Sequence, residues 1–252
     1  MTIGAALCFP IDGFVVSSCM HFSRAYHMAG FDITSAEGSD SVCYVLLPDG
    51  ALADLSRWAE KASSRFNTNV VLITGMDWNR DMSPWPADGV MKDKKNFPGG
   101  AAMYVKELCD DFIPTVEQWL KLKSPKRYLI GVSLSGLFSI WTLSKTSLFV
   151  GVGSVSGSLW YDGLVEWTRK TPLLSNAKLY LSLGAKEKNT SDRRMATVEG
   201  ATNEMVALLR EKGFDVTFEI VPGTHFSPVA PKFDRALEIL MTESSDSVHQ
   251  EE

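Results

Sequence analysis

The chain has 252 residues, of which 45% are hydrophobic and 22% charged, and a net charge of −5. At roughly 150 residues per domain one or two units are possible, and a single α/β unit over residues 1–241 is expected, because such domains reach this size. The acidic balance gives no electrostatic footprint for nucleic acid, and no apolar run reaches the ~18 residues that would suggest a membrane span.

The first 20 residues lack a basic start, and Pro10 and Asp12 interrupt their apolar run. They read as mature protein rather than as a secretory leader. Residues 13–20 and 25–33 are strand candidates with no helix between them, which suggests an antiparallel start to a sheet. Short, nearly continuous apolar runs follow at 42–47, 70–74, 127–132, 150–155, 178–183 and 216–221. Their continuity, in place of alternation, is the mark of strands buried on both faces.

Helical patterns lie between these runs. Residues 52–64 and 231–241 are short candidates. Residues 101–122 set Val105, Leu108, Phe112, Val116 and Leu120 on one face, with Pro114 predicting a kink or break. Residues 195–212 repeat the pattern through Val198, Met205 and Leu209, and Gly213 supplies a stop. Alternating strands and helices predict a mostly parallel central sheet with helices on both faces. The polar tail after Met241 is expected to be disordered.

Four scattered cysteines (Cys8, Cys19, Cys43 and Cys109) form no C-x-x-C pair, so reduced thiols in a cytoplasmic protein are expected. His21, His27, His225 and His249 lack the spacing of a zinc site. Neither a metal nor a cofactor is expected, and nothing sets the oligomeric state.

The run at 127–132 leads directly into Ser133 and then into a helical pattern, LSGLFSIWTL. A strand–serine–helix junction is the setting of a nucleophile elbow, in which the residues two before and two after the serine are small. Here they are Gly131 and Ser135, so the strict G-x-S-x-G pattern is broken at its last glycine. Such a turn lifts the hydroxyl above the sheet edge and aims the Leu134 N–H at a developing oxyanion. A serine needs a neighbouring base, and His225, in the loop after the last strand run, is the candidate. The acid then falls between them in the chain: Glu187 or Asp192, with Glu187 favoured because it lies closer to the strand end.

With these segments in place, the chain resembles the esterase D / enterochelin-esterase-like family of α/β hydrolases from about Val42 to Met241. The resemblance is carried, in order, by YVLLPDG, RDMSPWP, FPGGAAMYVKEL, GVSLSGLFS, SVSGSLWYDG, LGAKEKNT and GTHFSPVAPKFDRAL. It implies the α/β-hydrolase fold and serine hydrolysis of a small-molecule carboxylic ester. Ser133 would be the nucleophile, His225 the base and Glu187 the acid. It also implies a second oxyanion N–H from residues 49–51, centred on Gly50. Three positions depart from the family pattern: Ser135 for glycine, Ala185 for a frequent acidic residue and Gly157 for a common proline. Trp78, Trp85, Trp160 and Tyr161 fall in loops that can rim a site for an acyl or aryl group, and Arg80 can meet a polar substrate group or pair with Asp81. The competing readings are an acyltransferase with the same residues and a non-catalytic binding protein on the same scaffold.

Overall fold

A computed structural model describes residues 30–90 and 95–242. The strand candidate at 13–20, most of that at 25–33, Cys8, Cys19, His21, His27, His249 and the tail beyond residue 242 lie outside the described residues. Seven strands form one sheet: β1 (Gly30–Thr34), β2 (Ser41–Leu46), β3 (Asn69–Thr74), β4 (Lys126–Val132), β5 (Gly151–Val155), β6 (Lys178–Gly184) and β7 (Val216–Val221). Their order is β1-β3-β2-β4-β5-β6-β7. β1 runs antiparallel to β3, and all other pairs are parallel. The antiparallel start and parallel body expected from the apolar runs are both present.

Each central strand alternates its side chains between two cores, which is why the runs are apolar throughout. Val42, Tyr44 and Leu46 of β2 face one side. On that side they share one core with residues of α3 (Ala101–Glu107), α4 (Ile113–Leu120), α5 (Leu134–Thr142), α6 (Leu164–Lys170) and α7 (Val198–Glu211). Cys43 and Val45 face the other side, packed by Leu55, Trp58 and Ala62 of α1 (Leu52–Phe66) and by Phe233, Ala236 and Leu237 of α8 (Ala230–Met241). Two helices have no counterpart among the sequence patterns, α6 and the single-turn α2 (Trp78–Asp81), because both are too short to build a clear period. Among the described residues no helix is long and apolar enough to cross a membrane.

The break expected at Pro114 takes a specific form. Between α3 and α4 the chain makes a π-helical turn over Leu108–Phe112, and Pro114 opens α4. Proline has no N–H to donate and crowds the carbonyl four residues back, so the regular ladder cannot run through it. On this side of the sheet Tyr44, fully buried, donates its hydroxyl to Glu117, which also receives two hydrogen bonds from Arg127 at 2.6 and 2.8 Å. That bidentate contact keeps a nearly buried carboxylate compensated.

The β4–α5 junction is the tightest point of the fold. Ser133 has φ 58° and ψ −120°, a positive-φ conformation that is costly for a side-chain-bearing residue. The turn brings the backbone of Ser135 against Gly131, and a Cβ on Gly131 would collide with the Ser135 carbonyl. Ser135, in the place of the family glycine, is fully buried. Its hydroxyl accepts the Val132 N–H at 2.8 Å and lies 2.8 Å from the Leu46 carbonyl, which ties the turn to β2. The departure therefore adds a cross-link and does not crowd the turn. At Gly157, a Cβ would strike the Ser154 hydroxyl.

Ser135→Gly should lower stability by about 2 kcal/mol in urea unfolding, through the lost hydrogen bonds and the added backbone freedom. Gly131→Ala should cost more, because its clash is with backbone that cannot turn away. Equal stability of Ser135→Gly and wild type would contradict the cross-link.

Candidate active site

The C-terminal ends of the parallel strands deliver the side chains. Ser133 follows β4, Glu187 sits in the turn after β6, and His225 lies between β7 and α8. His225 Nε2 is 2.9 Å from Ser133 Oγ, and His225 Nδ1 is 2.8 Å from Glu187 Oε2. The three side chains thus form one hydrogen-bonded row, assembled from segments 92 and 38 residues apart.

Each member is held by its own loop. The Gly184 N–H donates to Glu187 Oε1 at 2.7 Å, so the strand end grips the carboxylate directly. The acid turn is sewn to the histidine loop by Ala185 N–H to the Val221 carbonyl and Lys186 N–H to the Gly223 carbonyl. Gly223, at φ 115°, packs on Ser227, whose hydroxyl accepts the Thr224 N–H at 2.9 Å. The His225 side chain keeps 23% exposure while that of Glu187 keeps 2%. The imidazole is thus open to solvent and the carboxylate is not.

Burial pushes the Glu187 carboxyl up, yet hydrogen bonds from His225, Ser156 and the Gly184 N–H, with the attraction of His225, hold it below its usual value. Asp192, the other candidate acid, accepts the Arg194 and Met195 N–H groups at 2.9 and 3.1 Å. These bonds brace the segment that leads into the short 3₁₀ turn over Met195–Thr197.

Leu134 is the first residue of α5, where an N–H has no acceptor within the helix. Gly50, at φ 83° with open space around it, lies in the loop between β2 and α1. Asp49 anchors that loop by accepting the Gly75 N–H at 2.9 Å, and the neighbouring Ala51 N–H closes on the Pro48 carbonyl.

A small cavity beside the row is lined by Ser156, Trp160, Glu187, Met195, Val198 and His225. Trp160 is therefore placed at the site, with the Arg194 guanidinium 5.4 Å over its ring. Trp78 packs against the core and is not among the residues lining the cavity. Arg80 is not among them either. Its guanidinium holds Asp81 at 2.7 and 3.0 Å, its carbonyl accepts the Gly100 N–H, and Ser83 accepts the Gly99 N–H. The ion-pair alternative for Arg80 is the one the geometry displays.

Neither Ser156 nor Lys232 stands out as a site residue in the sequence. Lys232 is 6% exposed and donates to Ser156 Oγ at 2.9 Å. One signal does exist: Lys232, Ala236 and Leu240 follow at steps of four on the apolar face of α8, so periodicity alone turns this lysine inward.

A family model described as "Putative esterase" matches residues 44–236. The Uncharacterized protein YbbA of Bacillus subtilis (strain 168) is 31% identical over 138 residues, which cover 53% of this chain and 55% of that one. The chain thus spans little more than half the length of this curated relative. Among solved structures, the siderophore hydrolase EstA from Aspergillus nidulans superimposes with a TM-score of 0.64 at 19% identity, covering 84% of this chain and 89% of that one. An IroE-like serine hydrolase from Shewanella oneidensis gives 0.67 at 19% identity, covering 84% and 73%. At these identities the likeness is one of fold. Since the family match runs from within β2 to within α8 and takes in Ser133, Glu187 and His225, the chain belongs to this esterase family and has the α/β-hydrolase fold.

Proposed function

We propose that this protein hydrolyses a small-molecule carboxylic ester through an acyl-enzyme formed on Ser133, with His225 as general base and Glu187 as the acid that orients it. The observation that carries this reading is the continuous row Ser133–His225–Glu187 at 2.9 and 2.8 Å. The spacing is within reach of proton transfer in the ground state. His225 takes the Ser133 proton as Oγ attacks the ester carbonyl. The oxyanion that forms meets the Leu134 N–H and a second N–H at Gly50. The imidazolium then gives its proton to the leaving alcohol, and water activated by the same base frees the acid product. Glu187 fixes the tautomer that leaves Nε2 free to accept, and it stabilises the imidazolium.

Trp160, Met195 and Val198 beside His225 support an acyl or aryl wall, and Phe226, 81% exposed next to the base, extends the apolar rim. We read the described residues as one α/β-hydrolase unit. Cys43 and Cys109 as free thiols support a reducing, cytoplasmic setting.

Short and long p-nitrophenyl esters test the nucleophile: Ser133→Ala should reduce kcat by at least about 10⁴-fold, and equal rates would overturn the assignment. Glu187→Gln should reduce kcat by roughly 10²–10⁴-fold with little change in KM. Asp192→Asn should leave turnover near wild type and cost only about 1 kcal/mol of stability, as weakened hydrogen bonds to a charged acceptor do. Loss of turnover in Asp192→Asn alone would reverse the choice of acid.

The pH behaviour follows in sign. The depressed Glu187 carboxyl favours the folded state above the unfolded carboxylate range, and that contribution is lost as pH falls through the lower folded value. The stability difference between wild type and Glu187→Gln, measured by denaturation across acid pH, should therefore narrow toward low pH. A difference that widens in acid would contradict a depressed Glu187 carboxyl.

A further inference from the structure

Lys232 is in a place that disfavours it twice. It is 6% exposed, and no carboxylate among the described residues lies within ion-pair distance of its ammonium group. Lysines are seldom buried unless directly paired. It also sits in the first turn of α8, where the helix dipole repels a cation. Its ammonium donates to the Ser156 hydroxyl at 2.9 Å. Ser156 is itself constrained, with φ 49°, 1% exposure and its N–H bonded to the Ser182 carbonyl at 2.7 Å. It lines the same small cavity as Glu187 and His225, and its hydroxyl is one of the groups that hold the Glu187 carboxyl low. The ammonium can only donate, so Ser156 Oγ accepts from Lys232, which leaves its own hydrogen to turn toward the carboxylate.

We propose that Lys232 is a positioning residue for ester hydrolysis: acting through Ser156, it holds the Glu187 carboxylate as an oriented anion behind His225. This rests on the proposed roles of Ser133, His225 and Glu187. The physical need is specific to the resting enzyme. Before attack His225 is neutral, and a buried carboxylate beside it lacks a full counter-charge. Lys232 supplies that charge through Ser156, so Glu187 is already an anion when the imidazolium forms. No proton moves along the Lys232–Ser156 link.

The groups around this link are otherwise engaged. On α8, Asp234 accepts from Trp58 of α1, and Arg235 holds Glu219 of β7 and Glu238. Tyr180 of β6 also donates to Glu219. Burial lowers the Lys232 ammonium from its usual value, and the attraction of Glu187 opposes this. Glu187 is thus the titrating group that senses Lys232.

The test is the pH profile of kcat/KM with p-nitrophenyl acetate for wild type, Lys232→Met and Ser156→Ala. Removing the ammonium makes protonation of Glu187 easier, and a protonated Glu187 no longer fixes the imidazole that must accept the Ser133 proton. The acidic limb should therefore move to higher pH by about half a unit or more, with kcat lowered and KM little changed. Ser156→Ala breaks the link without removing the charge and should move the limb in the same direction by less. A purely structural lysine would lower activity or melting temperature without moving the limb. An unmoved limb in both variants overturns the proposal, and if Lys232→Met does not fold, the limb of Ser156→Ala decides it. Ser133→Ala is measured alongside. If it retains activity, the catalytic reading has failed; if it is inactive while the limbs stay fixed, only the role of Lys232 has failed.

Discussion

The backbone crossing at Ser133 is the constraint that organises this molecule. β4 must end and α5 must begin within one residue, so the chain folds back until Gly131 touches the backbone of Ser135. A side chain at 131 would prevent this, and the strain at Ser133 is tolerated because its N–H and carbonyl are both bonded to the strand and loop beside it. The strained residue is in the middle of the sheet. β5, β6 and β7 lie in order on one side, and their ends present Ser156, Glu187 and His225 in turn. Because those strands are parallel, each ends at the same edge, and three distant segments converge on one hydroxyl.

Convergence brings an electrostatic difficulty. A carboxylate able to orient the histidine must be shielded from solvent, and shielding disfavours its charge. The fold meets this with many small contributions: a strand-end N–H, a serine hydroxyl, the histidine and a lysine one link away. Glu117 on the same protein meets the problem differently, with a direct bidentate arginine. The contrast is physical. At Glu117 a full positive charge lies directly against the carboxylate, while at Glu187 the imidazole meets one oxygen at 2.8 Å and the Gly184 N–H the other at 2.7 Å.

The loops around the site divide between support and contact. Residues 80–90 and 95–100 are cross-linked by the Arg80–Asp81 pair, the Gly99 N–H on Ser83 and the bridge between Ala87 and Phe97. Tyr161 donates to the Trp85 carbonyl, and Trp85 donates to the Asp162 carbonyl, which joins this loop to the one carrying Trp160. Trp160 thereby lines the cavity beside His225 on a braced platform that holds its ring in place.

Local periodicity encodes much of this protein without reference to the folded chain. Continuous apolar runs mark the buried strands, their alternation with helical patterns marks a parallel sheet, and a small residue two before a serine at a strand–helix junction marks the turn. The order serine, acid, histidine then limits the acid to Glu187 or Asp192. The choice between those carboxylates needs the folded chain, which sets one against His225 and the other under two backbone N–H groups. The same is true of the Arg80 guanidinium on Asp81, the π turn before Pro114, and Lys232 behind Ser156. The reason is that periodicity is a property of neighbours along the chain. Which polar groups meet depends instead on the strand order β1-β3-β2-β4-β5-β6-β7, which brings residues 38, 76 and 92 positions apart within hydrogen-bond distance.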